Sequence, residues 1–472
     1  MTRLSAVTRI NPLKVVFLIL LGFVMQGCGG GGGGSAPAPV IPSDTWTWIS
    51  GSDTVGQAGV YGTKGTASAA NMPGAKDASI SWIDASGNLW LFGGEGYDSV
   101  GANSFLNDLW KFDGSNWTWV SGSSVVDQPG TYGTQGTADA ANVPGARASS
   151  ISWIDASGNL WLFGGTGYDG AGTLGSLNDL WKFDGNNNNW TWVSGSNVVN
   201  QSGAYGTQGT AKAANVPGAR NQSVSWIDAS GNLWLFGGFG HDSAGTLGSL
   251  NDLWKFDGNN NWTWVSGSNV ADQFGDYGIQ GAADAANVPG ARTSSISWVD
   301  ASGNLWLFGG DGYDSAGASS TLNDLWKFDG SKWTWVSGSN VVEQSGTYGT
   351  QGTADAANVP GARKWPISWT DASGNLWLFG GDGYDSTGAS STLNDLWKFD
   401  GSKWTWVSGS NVVEQSGTYG TQGSANAANV PGARNLSISW TDASGNLWLF
   451  GGDGYDGAGA FGALNDMWRY KP

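Results

Sequence analysis

The sequence has one Cys, one His and only three Glu (Glu95, Glu343 and Glu414) in 472 residues, and charged side chains make up 12% of it. Zinc sites draw on clustered Cys and His, and Ser or Cys nucleophiles usually lean on a His base, so both chemistries lack material here. The scarcity of Glu beside abundant Asp argues against a helical protein, because Asp favours turns and Glu favours helices. Basic residues are also short, 21 against 38 acids for a net charge of -17. Nucleic acid is thereby excluded as a partner, since its binding needs a basic patch.

In their place stand 79 Gly and 31 Trp, with 13% aromatic residues overall. Gly-rich disordered segments lack aromatics, so the composition describes a turn-rich β protein with a large core.

Residues 1–27 carry Arg3, Arg9 and Lys14, no acid, and the apolar run Val15–Met25, the pattern of an export signal. The run is too short for the roughly 20 residues that cross a bilayer as a helix. Cys28 follows, then Gly29–Gly34 and Ser35-Ala-Pro-Ala-Pro39, a flexible and then stiffer tether. The segment Val24-Met25-Gln26-Gly27-Cys28 resembles a bacterial lipoprotein signal. That resemblance implies cleavage before Cys28, diacylglycerol on its sulfur and, with Gly29 next, an outer-membrane address; Gln26 departs from the small residue usual there. The chain therefore divides into a signal (1–27), a tether (28–44) and a folded domain (45–472).

The phrase Leu-Trp-Leu-Phe-Gly-Gly recurs with its first Gly at 93, 164, 237, 309, 380 and 451. In the second copy, Ile151-Ser-Trp-Ile154 alternates, Asp155-Ala-Ser-Gly158 turns, and Asn159–Phe163 is an apolar run into Gly164-Gly165. After a loop come Asn178-Asp-Leu-Trp-Lys-Phe183, Asp184-Gly185 and Trp190-Thr-Trp-Val193. Two hairpins per copy, six times over, predict an all-β six-bladed propeller with four antiparallel strands per blade. The array opens on Trp46-Thr-Trp-Ile49, which matches a fourth strand, and stops at Asn465-Asp-Met-Trp-Arg-Tyr470, which matches a third. The N-terminal strand should complete the last blade and close the ring.

Paired Gly after the apolar run, Asn178-Asp179-Leu180-Trp181 and the Trp190 that opens the fourth strand make residues 45–472 similar to the kelch-repeat propellers. The copies here, 71 to 73 residues apart, exceed the roughly 50 residues of ordinary kelch units. The excess falls mainly between fourth and first strands, as in Gly195–Arg220. Galactose oxidase is a kelch relative whose copper site needs two His, two Tyr and a Cys crosslinked to Tyr. With His241 alone and Cys28 outside the propeller, that activity is excluded, and no cofactor is expected.

An up-and-down blade puts the two short turns on one face and the two long loops on the other, where function is expected. Eleven of the 12 Tyr fall in those loops. Tyr61, Tyr132, Tyr205, Tyr277, Tyr348 and Tyr419 form one set; Tyr97, Tyr168, Tyr313, Tyr384 and Tyr455 form the other. Tyr rings suit recognition, but a feature copied in every blade also suits loop anchoring. Positions that break the repeat are the better candidates for one ligand: Glu95, Phe239, His241 (Tyr in the other copies), Phe274, Asp276, Lys364 and Trp365. Lys76, Arg147, Arg220, Arg292, Arg363 and Arg434 either ring the channel as an anion site or pair with the repeated Asp, and pairing is favoured. Gly309-Gly-Asp-Gly-Tyr-Asp314 has the spacing of calcium β-roll repeats, whose ions are shared between turns nine residues apart. Asp311 and Asp314 offer oxygen ligands, but the copies lie too far apart to stack, and no metal is assigned.

These features lead to the expectation of a non-catalytic cell-envelope lipoprotein. It would meet the membrane only through its N-terminal lipid and bind a glycan or an envelope or extracellular protein through the long-loop face. The alternatives are a carbohydrate-active enzyme of mutarotase or glycosidase type working through loop-face carboxylates, and a purely structural scaffold. Sialic acid mutarotase, another kelch propeller, needs neither of the missing residue types.

Overall fold

The computed structural model describes residues 44–472; the signal, Cys28 and nearly all of the tether lie outside the described residues. Among the described residues every regular element is a strand, and the strands form six antiparallel sheets. In the first blade the inner strand comes in two pieces, Lys76–Asp77 and Ile80–Ile83. Leu89–Tyr97, Asn103–Phe112 and the outer strand Trp117–Ser121 follow. The same series recurs in blades two to six.

The apolar run becomes the second strand because it is covered on both sides: Leu89–Phe92 is buried throughout, as expected of a strand interior to a stack. Each core lies between two blades. One such cluster joins Phe92, Trp82 and Trp90 of blade one to Leu160, Leu162, Trp181 and Phe183 of blade two. The glycine pair is required by that stacking. Gly93 and Gly94 have φ of 63° and 98°, a bulge shifts the register between Phe92 and Gly94, and a Cβ on Gly93 would lie 2.7 Å from the Arg147 carbonyl of the next blade. Only Gly tolerates both constraints.

Ring closure is as the sequence suggests. Thr45–Ser50 pairs with the final strand Phe461–Lys471, with Trp46 opposite Tyr470 and Trp48 opposite Trp468. Trp46 is buried against Trp369, Phe379, Trp468 and Tyr470.

The extra length of each repeat also has a structural use. The loop arriving from the previous blade folds back along the outer strand, bridging Ser68 to Trp117, Lys212 to Trp262, Asp284 to Trp333, Asp355 to Trp404 and Asn426 to Trp46. In blade two the contact is a short fifth strand, Ala138–Asp139, on Trp190 and Thr191. Outer edges that would otherwise offer unpaired backbone are thus partly covered.

Candidate functional site

Most repeated polar residues are committed to the frame. In blade two, Asp179 accepts two bonds from Arg147 (2.7 and 2.8 Å), one from the Tyr132 hydroxyl (2.6 Å) and one from Trp181 Nε1 (2.7 Å). The Arg147 and Asp179 side chains are fully buried, and Arg220–Asp252, Arg292–Asp324, Arg363–Asp395 and Arg434–Asp466 repeat the pair, with Lys76–Asp108 in blade one. The basic set therefore pairs with Asp and does not ring an anion site. Tyr61, Tyr132, Tyr205, Tyr277, Tyr348 and Tyr419 are the loop pins of these nodes. Burial, and then the facing carboxylate, hold their phenols far above the usual range, so they remain donors.

The short-turn face is equally committed. Asp155 accepts from the backbone of Ser157 and Asn159 and from the side chains of Asn159 and Trp161. On the other face Asp314 accepts from the backbone of Ala316, Ala318 and Val342 and so shapes its own turn.

The second Tyr set also meets loop residues. Tyr168, Tyr313 and Tyr384 face Asp127, Asp272 and Glu343 on the segment coming from the previous blade; burial first, and then these carboxylates, raise their phenols. Tyr97 lies against the loop at Gly56, and Tyr455 packs on Phe461 at 5.1 Å. His241 takes the Tyr position with Nδ1 3.2 Å from the Gly245 carbonyl oxygen. Phe274 is exposed at the rim, 6.0 Å from Tyr313, and Asp276 is exposed where the loop bridges to Val288. These residues stand around the rim and do not converge.

What converges lies at the axis. Between the two pieces of each inner strand sits one residue with positive φ: Ala78, Ser149, Gln222, Ser294, Trp365 or Leu436, at 50° to 61°. Their backbones join head to tail around the axis. Ser149 N donates to Ala78 O (2.9 Å), Gln222 to Ser149 (3.0 Å), Ser294 to Gln222 (2.9 Å), Trp365 to Ser294 (3.0 Å), Leu436 to Trp365 (3.2 Å) and Ala78 to Leu436 (2.9 Å). Left-handed backbone at bulky residues such as Trp and Leu is strained, and such strain clusters at functional sites. The collar's side chains and the residues that follow them, five serines and Pro366, line a cavity of about 160 Å³. Toward the short-turn face runs a channel of about 270 Å³ lined by Ser81, Ser152, Ser225, Ser297, Ser368 and Ser439.

On the long-loop side of the collar is a funnel of twelve positions, two per blade. Each residue before the collar faces one on the second strand: Asp77 opposite Glu95, Ala148 opposite Thr166, Asn221 opposite Phe239, Thr293 opposite Asp311, Lys364 opposite Asp382 and Asn435 opposite Asp453. Contacts also run between blades. Lys364 Nζ lies 3.1 Å from Asp311 of the preceding blade, and Asn221 Nδ2 donates to Thr166 Oγ1 at 2.8 Å. At the seam between blades six and one, Asp77 meets Asp453. Burial first, then Asp453 and Glu95, push the Asp77 carboxyl up to about 8. Burial and Glu95 raise Asp453; burial raises Asp382, with Asp311 adding to it and Lys364 opposing it.

Of the candidates legible in the sequence, Glu95, Phe239, Lys364 and Trp365 come together here. Lys364 Nζ also sits 4.6 Å from the Trp365 ring. The residues missed are Asp77, Asn221, Asp382, Asn435 and Asp453; Asp311, read from the sequence only as a calcium-type oxygen ligand, joins them. Their signal was available as columns of the repeat: Asp, Ala, Asn, Thr, Lys, Asn before the collar and Glu, Thr, Phe, Asp, Asp, Asp on the second strand, between otherwise near-identical neighbours. Glu95, without a visible partner in the sequence, has Asp77 across the ladder. A larger concavity of about 580 Å³ lies off axis beside Lys64 and Trp119. Its counterpart at Asn394, Gln415 and Thr418 shows that it belongs to the repeat, and it is less individual than the funnel.

No protein-family model and no curated protein matches the chain. Solved structures that match include one described as the structure of YjhT. It shares 15% identity with a TM-score of 0.49, covering 84% of this chain and 95% of that one.

Proposed function

We propose that this protein is a non-catalytic binding propeller of the bacterial cell envelope, held to the membrane by lipid on Cys28, with its ligand seated in the axial funnel of the long-loop face. One observation carries the reading. Where six blades repeat almost residue for residue, the columns around the collar differ from blade to blade, and they surround a single axis. Six equivalent sites would need equal columns; one site for one ligand needs unequal ones. The funnel suits a saccharide unit or a projecting part of a larger envelope molecule, with Phe239 and Trp365 as apolar surfaces and the carboxylates and amides as hydrogen-bond partners.

The test is a glycan array and an envelope-extract pulldown with the full chain, alongside Trp365→Ala and the off-axis Asp276→Asn. Binding lost in the first and kept in the second is expected; binding indifferent to Trp365 overturns the axial site. A second reading, a glycoside-processing enzyme, is favoured by Asp77 opposite Glu95, because a carboxyl held protonated beside a second carboxylate is the pairing such chemistry uses. Turnover abolished by Glu95→Gln with binding intact would establish it in place of the first.

A further inference from the structure

The funnel's blade boundaries can be compared one with another. Between blades four and five the second-strand residue and the next blade's collar-side residue are Asp311 and Lys364, an ion pair at 3.1 Å. Between blades two and three they are Thr166 and Asn221, hydrogen-bonded at 2.8 Å. Both boundaries supply a donor and an acceptor. Between blades six and one the same positions hold Asp453 and Asp77, two carboxyl groups with no cation between them, and Glu95 stands opposite Asp77. Asn435, opposite Asp453 in the ladder and more than nine-tenths buried, keeps its Oδ1 without any donor.

We infer that this seam is a binding site for a primary ammonium group, which Asp453, Asp77 and Glu95 would hold, beside the unpaired Asn435 Oδ1, as Asp311 holds the Lys364 ammonium two blades away. The inference rests on the axial-site reading and adds the chemical class of the ligand: an amine, such as an amino sugar with a free amino group. An ammonium brings three donors and one positive charge, and the seam is short of both. Charges facing the funnel from all six blades are Asp77, Glu95, Asp311, Lys364, Asp382 and Asp453, so Lys364 is its only cation among the described residues. A neutral ligand would leave the acidic side of the ring without a counter-charge. The lysine two blades away, set between a carboxylate and the Trp365 face, shows that this ring accommodates an ammonium.

The decisive variant is Asp77→Lys, which writes the Asp311–Lys364 pair into the seam. The full chain is titrated calorimetrically with glucosamine and putrescine, and with N-acetylglucosamine, glucose and calcium ion as comparisons. Glucosamine and putrescine should bind, with protons released at pH 7 as Asp77 ionises, seen as an enthalpy that depends on the buffer. N-acetylglucosamine should bind at least about tenfold more weakly, the scale of one charge-assisted hydrogen bond. Asp77→Lys should abolish amine binding, Asp453→Asn should weaken it about tenfold, and Asp276→Asn should leave it unchanged; circular dichroism checks that each variant is folded. Amine binding untouched by Asp77→Lys, or calcium bound where amines are not, overturns the inference. Neutral sugars bound in preference, with loss in Trp365→Ala, would overturn the ammonium and leave the axial site standing. No ligand sensitive to any funnel substitution would overturn both.

Discussion

Replacing Asp324 by Asn tests the account of what holds the blades together. Asp324 receives Arg292 through both oxygens at 2.7 Å, the Tyr277 hydroxyl at 2.6 Å and Trp326 Nε1 at 2.7 Å, all out of solvent. The amide keeps the shape but turns one acceptor into a donor that faces the guanidinium and leaves a buried charge uncompensated. Breaking a buried pair in this way costs about 3–5 kcal/mol. Tyr277→Phe leaves the ion pair intact and removes one bond to a charged acceptor, about 1.5–3 kcal/mol. Urea unfolding of the full chain, followed by tryptophan fluorescence and far-UV circular dichroism together, should give this order, and coincidence of the two probes licenses the free energies. Arg292→Met combined with Asp324→Leu should be milder than Asp324→Leu alone, because no charge is stranded. A loss below about 1 kcal/mol for Asp324→Asn, or a double variant worse than the single, would refute the reasoning.

Blade one contains a ready-made improvement. Arg147 donates through Nε to Gly145 O (2.9 Å) and through Nη1 to Gly164 O (3.1 Å), whereas Lys76 reaches Asp108 and, at 3.4 Å, Gly93 O. Lys76→Arg should therefore gain about 1 kcal/mol, read as a higher unfolding midpoint; a lower one counts against it. Trp46→Ala should cost about 3–5 kcal/mol and speed hydrogen exchange in Phe461–Lys471 more than in any other third strand, because blade six is the one blade closed by a distant segment. For pH, Asp77 binds its proton more tightly folded than unfolded. Its contribution is most favourable below the unfolded pKa near 3.8 and is lost as pH rises toward 8. The thermal midpoint should fall from pH 5 to pH 8 in the parent, and Asp77→Asn should flatten that slope; an unchanged slope would remove Asp77 as its source.

The fold was legible because its signals are local and repeated. Alternation in Ile151–Ile154, a turn at Asp155–Gly158 and a run into Gly164-Gly165 each specify one strand or turn, and six copies remove chance. Ring closure was legible for the same reason, since Trp46-Thr-Trp-Ile49 is complete as a fourth strand and has no first three. The Asp179 node was less so. Its donors come from residues 147, 132 and 181, and nothing local to Asn178-Asp-Leu-Trp says that one carboxylate serves them all.

The funnel was half legible, and the reason is geometric. Glu95 and Trp365 announced themselves by being unlike their counterparts, but Asp453 is Asp in three blades of six and looked like part of the pattern. Its meaning depends on what faces it. At 311 the same Asp meets Lys364 and is neutralised; at 453 it meets Asp77 and is not. A repeat hides function in this way whenever a site forms between copies, because the informative unit is then a pair of residues from adjacent blades. Ring closure makes the most distant pair, 77 and 453, into neighbours. The strand that seals the propeller therefore also assembles the acidic side of its mouth, and Trp46→Ala should loosen both, weakening any ligand of the seam along with the fold.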